Sequence, residues 1–236
     1  MKVEIWSDVV CPWCYVGKRH LQEALRSFDH ADEVEIEWKA YELDPTAPAV
    51  RPGSYVERLA GKYGIPVGEA RARMTRIISV GADAGIDFRF DQARPGNTFD
   101  AHRLLHLAKD AGLQDELKER FFAATFTEGH PIGDRDTLIK LAVDVGIDEQ
   151  DARRVLETEE FTEEVRTDEV EGVQLGVQGV PFFVFDRRYG VSGAQPAEVL
   201  LEVLERTWRD GAPIEVVSGD GDSDSADRCD GDACEI

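Results

Sequence analysis

Positive charge is what this chain has least of. Lysine and arginine together number 27 against 48 acids, a net charge of −21, and only seven of the basic residues are lysine (2, 18, 39, 62, 109, 118 and 140). A basic face that would neutralise nucleic-acid phosphates is not available, so no nucleic-acid partner is expected. The last nineteen residues, 218–236, hold seven acids and one arginine, which leaves most of the negative charge on the rest of the chain. Such a surface repels itself at low salt, whereas at molar salt the Debye length falls to ~3 Å and the repulsion is screened. An acid-rich, lysine-poor composition of this kind points to a halophilic source.

Long hydrophobic runs are missing too. Nothing approaches the roughly 20 apolar residues that a membrane-crossing helix needs, so no membrane partner is expected. The N-terminus enters a strand pattern within a few residues and leaves no room for a charged and then apolar leader, from which a cytoplasmic location is expected. Cysteine is scarce, with four residues in 236. In a reducing compartment a close cysteine pair is more often catalytic or metal-binding than a structural staple.

What is there centres on Cys11-Pro12-Trp13-Cys14. The apolar stretch Val3-Glu4-Ile5-Trp6 precedes it, and Tyr15, Leu21, Ala24, Leu25 and Phe28 follow at helical spacing. Strand, Cys-x-x-Cys, helix is a redox context. A helix N-terminus offers unpaired N–H groups and partial positive charge, which favour a thiolate. Cys11 is therefore expected to be the attacking thiolate and Cys14 the buried resolving thiol, with Pro12 at a helix position that tolerates a missing N–H. Asp8, three residues before Cys11, reads either as a buried proton acceptor for Cys14 or as a cap of the helix. A zinc half-site would need a second ligand pair close by, which only the tail pair Cys229 and Cys234 could supply, so no metal is assigned.

Further along, Val34 to Tyr41 alternates at period two and completes a β-α-β unit. The middle reads as helices at roughly 54–63, 67–84, 98–111, 114–127, 135–145, 149–157 and 160–176, with apolar stripes such as Leu104, Leu105, Leu107 and Ala108. Strand character returns at Val180 to Phe185. The turn Asp186-Arg187-Arg188 leads to Tyr189-Gly190-Val191, and Pro196 opens a last helix. The order β-α-β, helical insert, β-β-α predicts an α/β thioredoxin-like fold interrupted by an all-α insertion domain. The expected boundaries are 1–45 and 166–211 for the thioredoxin-like unit, 46–165 for the insertion, and 212–236 for an acidic disordered tail.

The segment Ser7-Asp8-Val9-Val10-Cys11-Pro12-Trp13-Cys14-Tyr15-Val16-Gly17 resembles the active-site segment of the FrnE-like branch of the DsbA family. Asn97-Thr98-Phe99-Asp100-Ala101-His102-Arg103-Leu104 resembles that family's motif at an inserted helix. Gly176 to Phe183 and Ser192 to Pro196 resemble its C-terminal half. The resemblance covers about residues 2–210 and implies thiol–disulfide oxidoreductase activity on protein or small thiol and disulfide substrates. No cofactor is implied beyond the Cys11–Cys14 disulfide, with glutathione or another thiol as co-substrate. It also implies a cis-proline at Pro181 facing the cysteines, with the Val180 backbone holding substrate. His102 would lie in the insertion's first long helix facing the cleft, and Asn97 is a weaker contact candidate for which capping is an equal explanation. Trp13 lacks the cationic nitrogen that a histidine between the cysteines would provide, so a moderate redox poise is expected. Cys229 and Cys234 would form a second redox pair. The rival readings are a glutathione-dependent isomerase of the 2-hydroxychromene-2-carboxylate type, whose members commonly carry serine where Cys11 stands, and a non-enzymatic chaperone-like module.

The charge argument generates a first prediction. Thermal unfolding followed by circular dichroism should be cooperative in molar KCl and lose cooperativity in millimolar KCl; superimposable melts would contradict it.

Overall fold

The alternating stretch after Met1 becomes β1 (Lys2–Ser7) in a computed structural model that describes residues 1–51 and 53–211. The tail carrying Cys229 and Cys234 lies outside the described residues. Chain order runs β1, α1 (Pro12–Arg26), β2 (Glu35–Ala40), α2 (Tyr55–Tyr63), α3 (Val67–Asp83), α4 (Phe99–Asp110) and α5 (Gln114–Ala123). It continues through α6 (Arg135–Asp144), α7 (Glu149–Glu157), α8 (Thr162–Gln174), β3 (Phe182–Phe185), β4 (Tyr189–Ser192) and α9 (Ala197–Gly211). The strands form one sheet in the order β2-β1-β3-β4, with β1 parallel to β2 and antiparallel to β3, and β3 antiparallel to β4. This is the thioredoxin-like arrangement with helices inserted between β2 and β3.

Both faces of β1 are covered, which is why Val3 to Ser7 are all buried. Val3 and Ile5 pack with Leu21, Ala24 and Phe28 of α1 and with Leu200 and Leu204 of α9. Trp6, on the other face, packs with Val177 and Val184 and donates its indole N–H to the Asp168 carbonyl on α8 at 2.7 Å. Glu4 shares that face at 3% exposure and is neutralised by the Arg187 guanidinium, which donates to both carboxylate oxygens at 2.8 and 2.6 Å. Arg187 occupies the left-handed region (φ 53°) in the β3–β4 turn. A two-pronged charged contact to a buried partner holds it there.

The inserted helices make their own core. Leu104, Leu105 and Ala108 of α4, Leu117 and Phe121 of α5, Leu138 and Leu141 of α6, and Val155 and Leu156 of α7 pack together, and Val9 reaches into them from the loop after β1. Arg103 is 2% exposed and donates its Nε–H to the Glu160 carbonyl at 2.8 Å and further N–H groups to the Val155 and Thr158 carbonyls, capping the C-terminal end of α7. The helix expected over 114–127 differs in one respect. The α-helical geometry stops at Ala123 and Ala124–Glu128 forms a wider π turn, ended by Gly129 in the left-handed region (φ 74°). The wider turn brings Phe126 into the cluster with Phe88, Phe90, Cys11 and Cys14 and leaves its carbonyl to accept from Arg89 N–H at 2.7 Å.

A substitution at Gly172 tests how tightly α8 seats on the sheet. Alanine should gain ~1 kcal/mol of helix propensity, but its Cβ would lie 2.8 Å from Trp6 Nε1 and 2.9 Å from Trp6 Cδ1. Trp6 is fully buried and hydrogen-bonded, so overpacking of ~1–3 kcal/mol should win. Gly172→Ala is expected to lower Tm by about 2–4 °C per kcal/mol lost; a raised Tm would show that the contact is soft.

Candidate active site

Cys11 is the residue immediately before α1, with extended backbone (φ −98°, ψ 111°) and Pro12 at the first helical position. Its own N–H donates to the Asp8 carbonyl at 3.1 Å, and the Cys14 N–H donates to the Cys11 carbonyl at 3.1 Å. The turn Asp8–Cys11 thus leads directly into the helix. Cys11 is 5% exposed and Cys14 fully buried, both as free thiols. Across from them the Val180–Pro181 peptide is cis, and the Cys11 thiol donates to the Val180 carbonyl at 3.5 Å. The close approach depends on Gly17, one turn beyond Cys14 on α1. A Cβ there would sit 3.0 Å from Pro181 Cγ and 3.1 Å from Phe183 Cζ. From the far side Gly193 N–H donates to the Pro181 carbonyl at 2.8 Å.

The expectation of a lowered Cys11 pKa from the helix terminus is corrected by its surroundings. The hydrogen bond with Cys14 comes first, burial next, and the negative charges of Cys14 and Asp8 add to them. Together they push the Cys11 thiol well above the ordinary thiol range, with only the Cys14 backbone N–H pulling it down.

Beneath the cysteines lies a buried charged group that sits on four different elements. Asp8 is fully buried and its Oδ2 accepts from Leu43 N–H at 2.7 Å, while Oδ1 lies 3.4 Å from Val10 N and 3.5 Å from His102 Nε2. Burial would raise its pKa, but His102, the Leu43 N–H and Lys118 override that and hold the carboxyl below its usual value. The helix-cap reading of Asp8 does not hold, because the N-cap of α1 is Cys11 and no side chain caps it. Lys118 of α5 is also fully buried. Its ammonium donates to the Ser7 carbonyl at 3.2 Å and lies 5.3 Å from the Trp38 ring centroid and 5.4 Å from that of Phe122. Burial pulls it down to about 8, against the opposing charges of Cys14, Asp8 and Cys11. Glu42 is buried beside this group and pairs with Arg166 at 2.8 Å, and burial raises its pKa.

The cysteines open onto a cleft of about 1070 Å³ between the sheet end and α2–α3. Cys11, Pro12, Trp13 and Val180 line one side, Tyr55, Leu59 and Ile77 the other, and Asp8 lies at its floor. Trp13 is half-buried there. His102 sits on α4, the third inserted helix rather than the first, at 1% exposure and against Asp8 rather than on the cleft lining. Asn97 is also not among the lining residues. Its Oδ1 accepts from Phe99 N–H at 3.0 Å and its Nδ2 donates to the Pro45 carbonyl at 3.3 Å, a loop- and helix-start role. Tyr15, beside Cys14, is stacked on Phe122 at 4.9 Å and donates its hydroxyl to Glu119 at 2.7 Å, and Glu119 in turn holds Arg19. Among the described residues no group of three or more His, Cys, Asp or Glu side chains is placed to hold a metal.

Lys118 is the residue that sequence reading missed. Its one signal is position: it follows Leu117 and stands four residues before Phe122, inside an apolar stripe where a lysine is out of pattern.

A family model described as a DSBA-like thioredoxin domain matches residues 2–205. Among curated proteins, the uncharacterized protein YwbO of Bacillus subtilis is 33% identical over 161 residues, spanning 67% of this chain and 73% of that protein. Among solved structures, a probable DsbA oxidoreductase from Streptomyces coelicolor aligns with TM-score 0.86 and 42% identity over 93% of this chain and 94% of that one. The cytosolic disulfide reductase DsbM from Pseudomonas aeruginosa, solved with GSH, aligns with TM-score 0.63 over 89% of this chain and 100% of its own. At 19% identity it shares the fold.

The buried lysine generates a pH prediction. An unfolded lysine keeps its proton up to ~10.4, whereas folded Lys118 gives it up at about 8. Between those values the unfolded chain binds more protons, so Lys118 makes stability rise with pH. Lys118→Met should therefore be more stable than wild type below pH ~8, with the gap narrowing by up to about 3 kcal/mol by pH ~10.4. A difference in denaturation midpoints that stays flat across that window would contradict this assignment.

Proposed function

The chain belongs to the DSBA-like thioredoxin domain family, and on that premise we propose that it is a thiol–disulfide oxidoreductase of the FrnE-like kind, working through Cys11 and Cys14. One observation carries the reading: Cys11 Sγ stands at the cleft wall 3.5 Å from the Val180 carbonyl, with Cys14 buried one turn behind it. The thioredoxin-like unit of this reading is 1–45 with 166–211, and the insertion is 46–165. A halophilic source, supported by the lysine-poor acidity, and a cytoplasmic site of action complete it.

In the reducing direction the Cys11 thiolate attacks a substrate disulfide RS–SR′, forming Cys11–S–SR and releasing R′S⁻. The Cys14 thiolate then attacks the Cys11 sulfur and expels RS⁻, leaving the Cys11–Cys14 disulfide; two electrons have passed to the substrate and two thiols are formed. The reverse sequence oxidises. When Cys11 gives up its proton the Val180 carbonyl loses its donor, and it becomes free to accept from an N–H of an extended substrate. Pro181, lacking an N–H, keeps its neighbour's backbone from being engaged within the chain.

Lys118 is fully buried with its ammonium on the Ser7 carbonyl at 3.2 Å, and its charge acts on both cysteines and on Asp8. Its role is to offset the negative charge that reaction places on the sulfurs, while Asp8, held below the ordinary carboxyl range, stays ionised beside it. The raised pKa of Cys11 and the absence of a cation at Trp13 both argue for a protein less oxidising than periplasmic DsbA, whose potential is about −120 mV.

Retention of Cys11 speaks against the isomerase reading, and a pure client-holding module would not need the paired sulfurs. The deciding experiment is turnover of insulin disulfides with a reductant. Cys11→Ser should abolish it, while Cys14→Ser should accumulate mixed disulfides visible by mass spectrometry. Wild-type turnover in Cys11→Ser would end the oxidoreductase reading, and client holding that survives loss of both cysteines would favour the chaperone-like one.

A further inference from the structure

Acids outnumber bases 48 to 27 in the chain, yet the lining of the Cys11 cleft reverses that ratio. Five cations line it, Arg51, Arg58, Lys62, Arg73 and Arg76, against two carboxylates, Asp8 and Asp44. Asp8 is already engaged by Leu43 N–H and His102. The local sequence explains the concentration. Arg58 and Lys62 stand four apart on α2, Arg73 and Arg76 three apart on α3, so each pair shares a helix face, and the two helices pack on each other beside Cys11.

These cations are not all consumed within the chain. Arg51 pairs with Asp44 at 2.5 Å, and Arg58 lies over the Tyr55 ring at 5.7 Å while donating to the Gly53 carbonyl. Lys62, Arg73 and Arg76 are exposed. Arg73 pairs with Glu69 at 2.7 Å, both about half-exposed, and such a surface pair exchanges partners at little cost. Arg73 and Lys62 both lie over Tyr63, which lines the same wall.

Resting on the oxidoreductase reading above, we propose that this cleft selects disulfides embedded in acidic peptide, with substrate carboxylates seated on Lys62, Arg73 and Arg76 while the sulfur lies at Cys11. Two features favour a peptide over a small anionic thiol. The cleft, at about 1070 Å³, is at the upper limit of a small-ligand site. Its cations also come from three segments, the loop before α2, α2 and α3, so a ligand that contacts all of them must reach across several parts of the lining. A uniform field from a net charge of −21 would act in the opposite sense and favour basic substrates, so the sign of the preference separates the local arrangement from the bulk charge.

The test uses the full chain carrying Cys229→Ser and Cys234→Ser, reduced, so that Cys11 and Cys14 are its only thiols. It is mixed with homodisulfides of short peptides holding one cysteine flanked by Glu, Gln or Lys, and with glutathione disulfide. Each event converts the dithiol and one peptide disulfide into the Cys11–Cys14 disulfide and two peptide thiols. Rates are followed by quenched mass spectrometry at the lowest salt at which circular dichroism shows the chain folded. Each is divided by the rate of the same disulfide with dithiothreitol, which removes intrinsic reactivity.

The Glu-flanked peptide should lead the Lys-flanked one by about tenfold, and Arg73→Gln with Arg76→Gln should bring the ratio close to one. Removing the same charge elsewhere, as Arg153→Gln with Arg154→Gln on α7, should leave the ratio as it was. A Lys-flanked peptide that reacts faster, or equal effects of the two double variants, would overturn the proposal. Glutathione disulfide matching the Glu-flanked peptide would overturn the assignment to peptide. Failure of the underlying reading looks different: no disulfide in the set would oxidise the wild-type pair faster than it modifies a Cys11→Ser chain.

Discussion

The site depends on how closely the first helix can come to the loop before β3. Gly17 has no Cβ, and a methyl group there would crowd Pro181 Cγ and Phe183 Cζ at 3.0 and 3.1 Å, closer than side chains normally approach. A larger residue would displace either the helix or the loop, and both carry the chemistry. Cys11 is fixed by the start of α1, while Val180 is fixed by β3 and by the Gly193 bond to Pro181. The thiol and the carbonyl meet because two separate elements are packed to contact, although they stand 169 positions apart in the chain.

The inserted helices do more than shield this contact. Together with the segment joining α3 to α4 they supply one side of the apolar cluster that surrounds both cysteines, through Ile77, Phe88, Phe90, Phe122 and Phe126. They also supply the charges below, since Lys118 and His102 stand on α5 and α4 while Asp8 belongs to the loop after β1. Low dielectric and nearby charges move the acid–base behaviour of this layer, Cys11 and Glu42 up and Asp8 and Lys118 down. The same helices provide the cationic wall of the cleft. Substrate approach, sulfur environment and proton balance therefore all draw on one insertion.

Much of the architecture was legible because it is periodic. The apolar stretch Val3 to Trp6, the period-two alternation from Val34 to Tyr41, the helical stripes around Leu104 and Leu138, and the strand–Cys-x-x-Cys–helix order were each legible in the sequence. The misreadings have physical causes. Asp8 looked like a cap because short acids before a helix usually are, but its carboxylate turns inward to Leu43 N–H and His102, contacts that only the tertiary fold creates. The π turn at Ala124–Glu128 leaves no trace in period, since one extra residue per turn over five residues is too short a change. Lysine scarcity was read as a surface property. In the folded chain Lys18 and Lys118 are buried, and Lys2, Lys39 and Lys109 gather on the 3%-exposed Glu37. The few lysines retained are thus largely structural.

Tyr15 bears on how the molecule moves. Its ring stacks on Phe122 and its hydroxyl is held by Glu119, which also grips Arg19 one turn later. Two successive turns of α1 are thereby clamped to α5. The segment bearing the sulfurs and the helix bearing Lys118 consequently belong to one cooperative unit of local unfolding. An opening fluctuation that exposed Cys14 to solvent would have to break the clamp and unseat Lys118 in the same event. Access to the inner sulfur is then governed by the stability of this unit rather than by rotation of a single side chain.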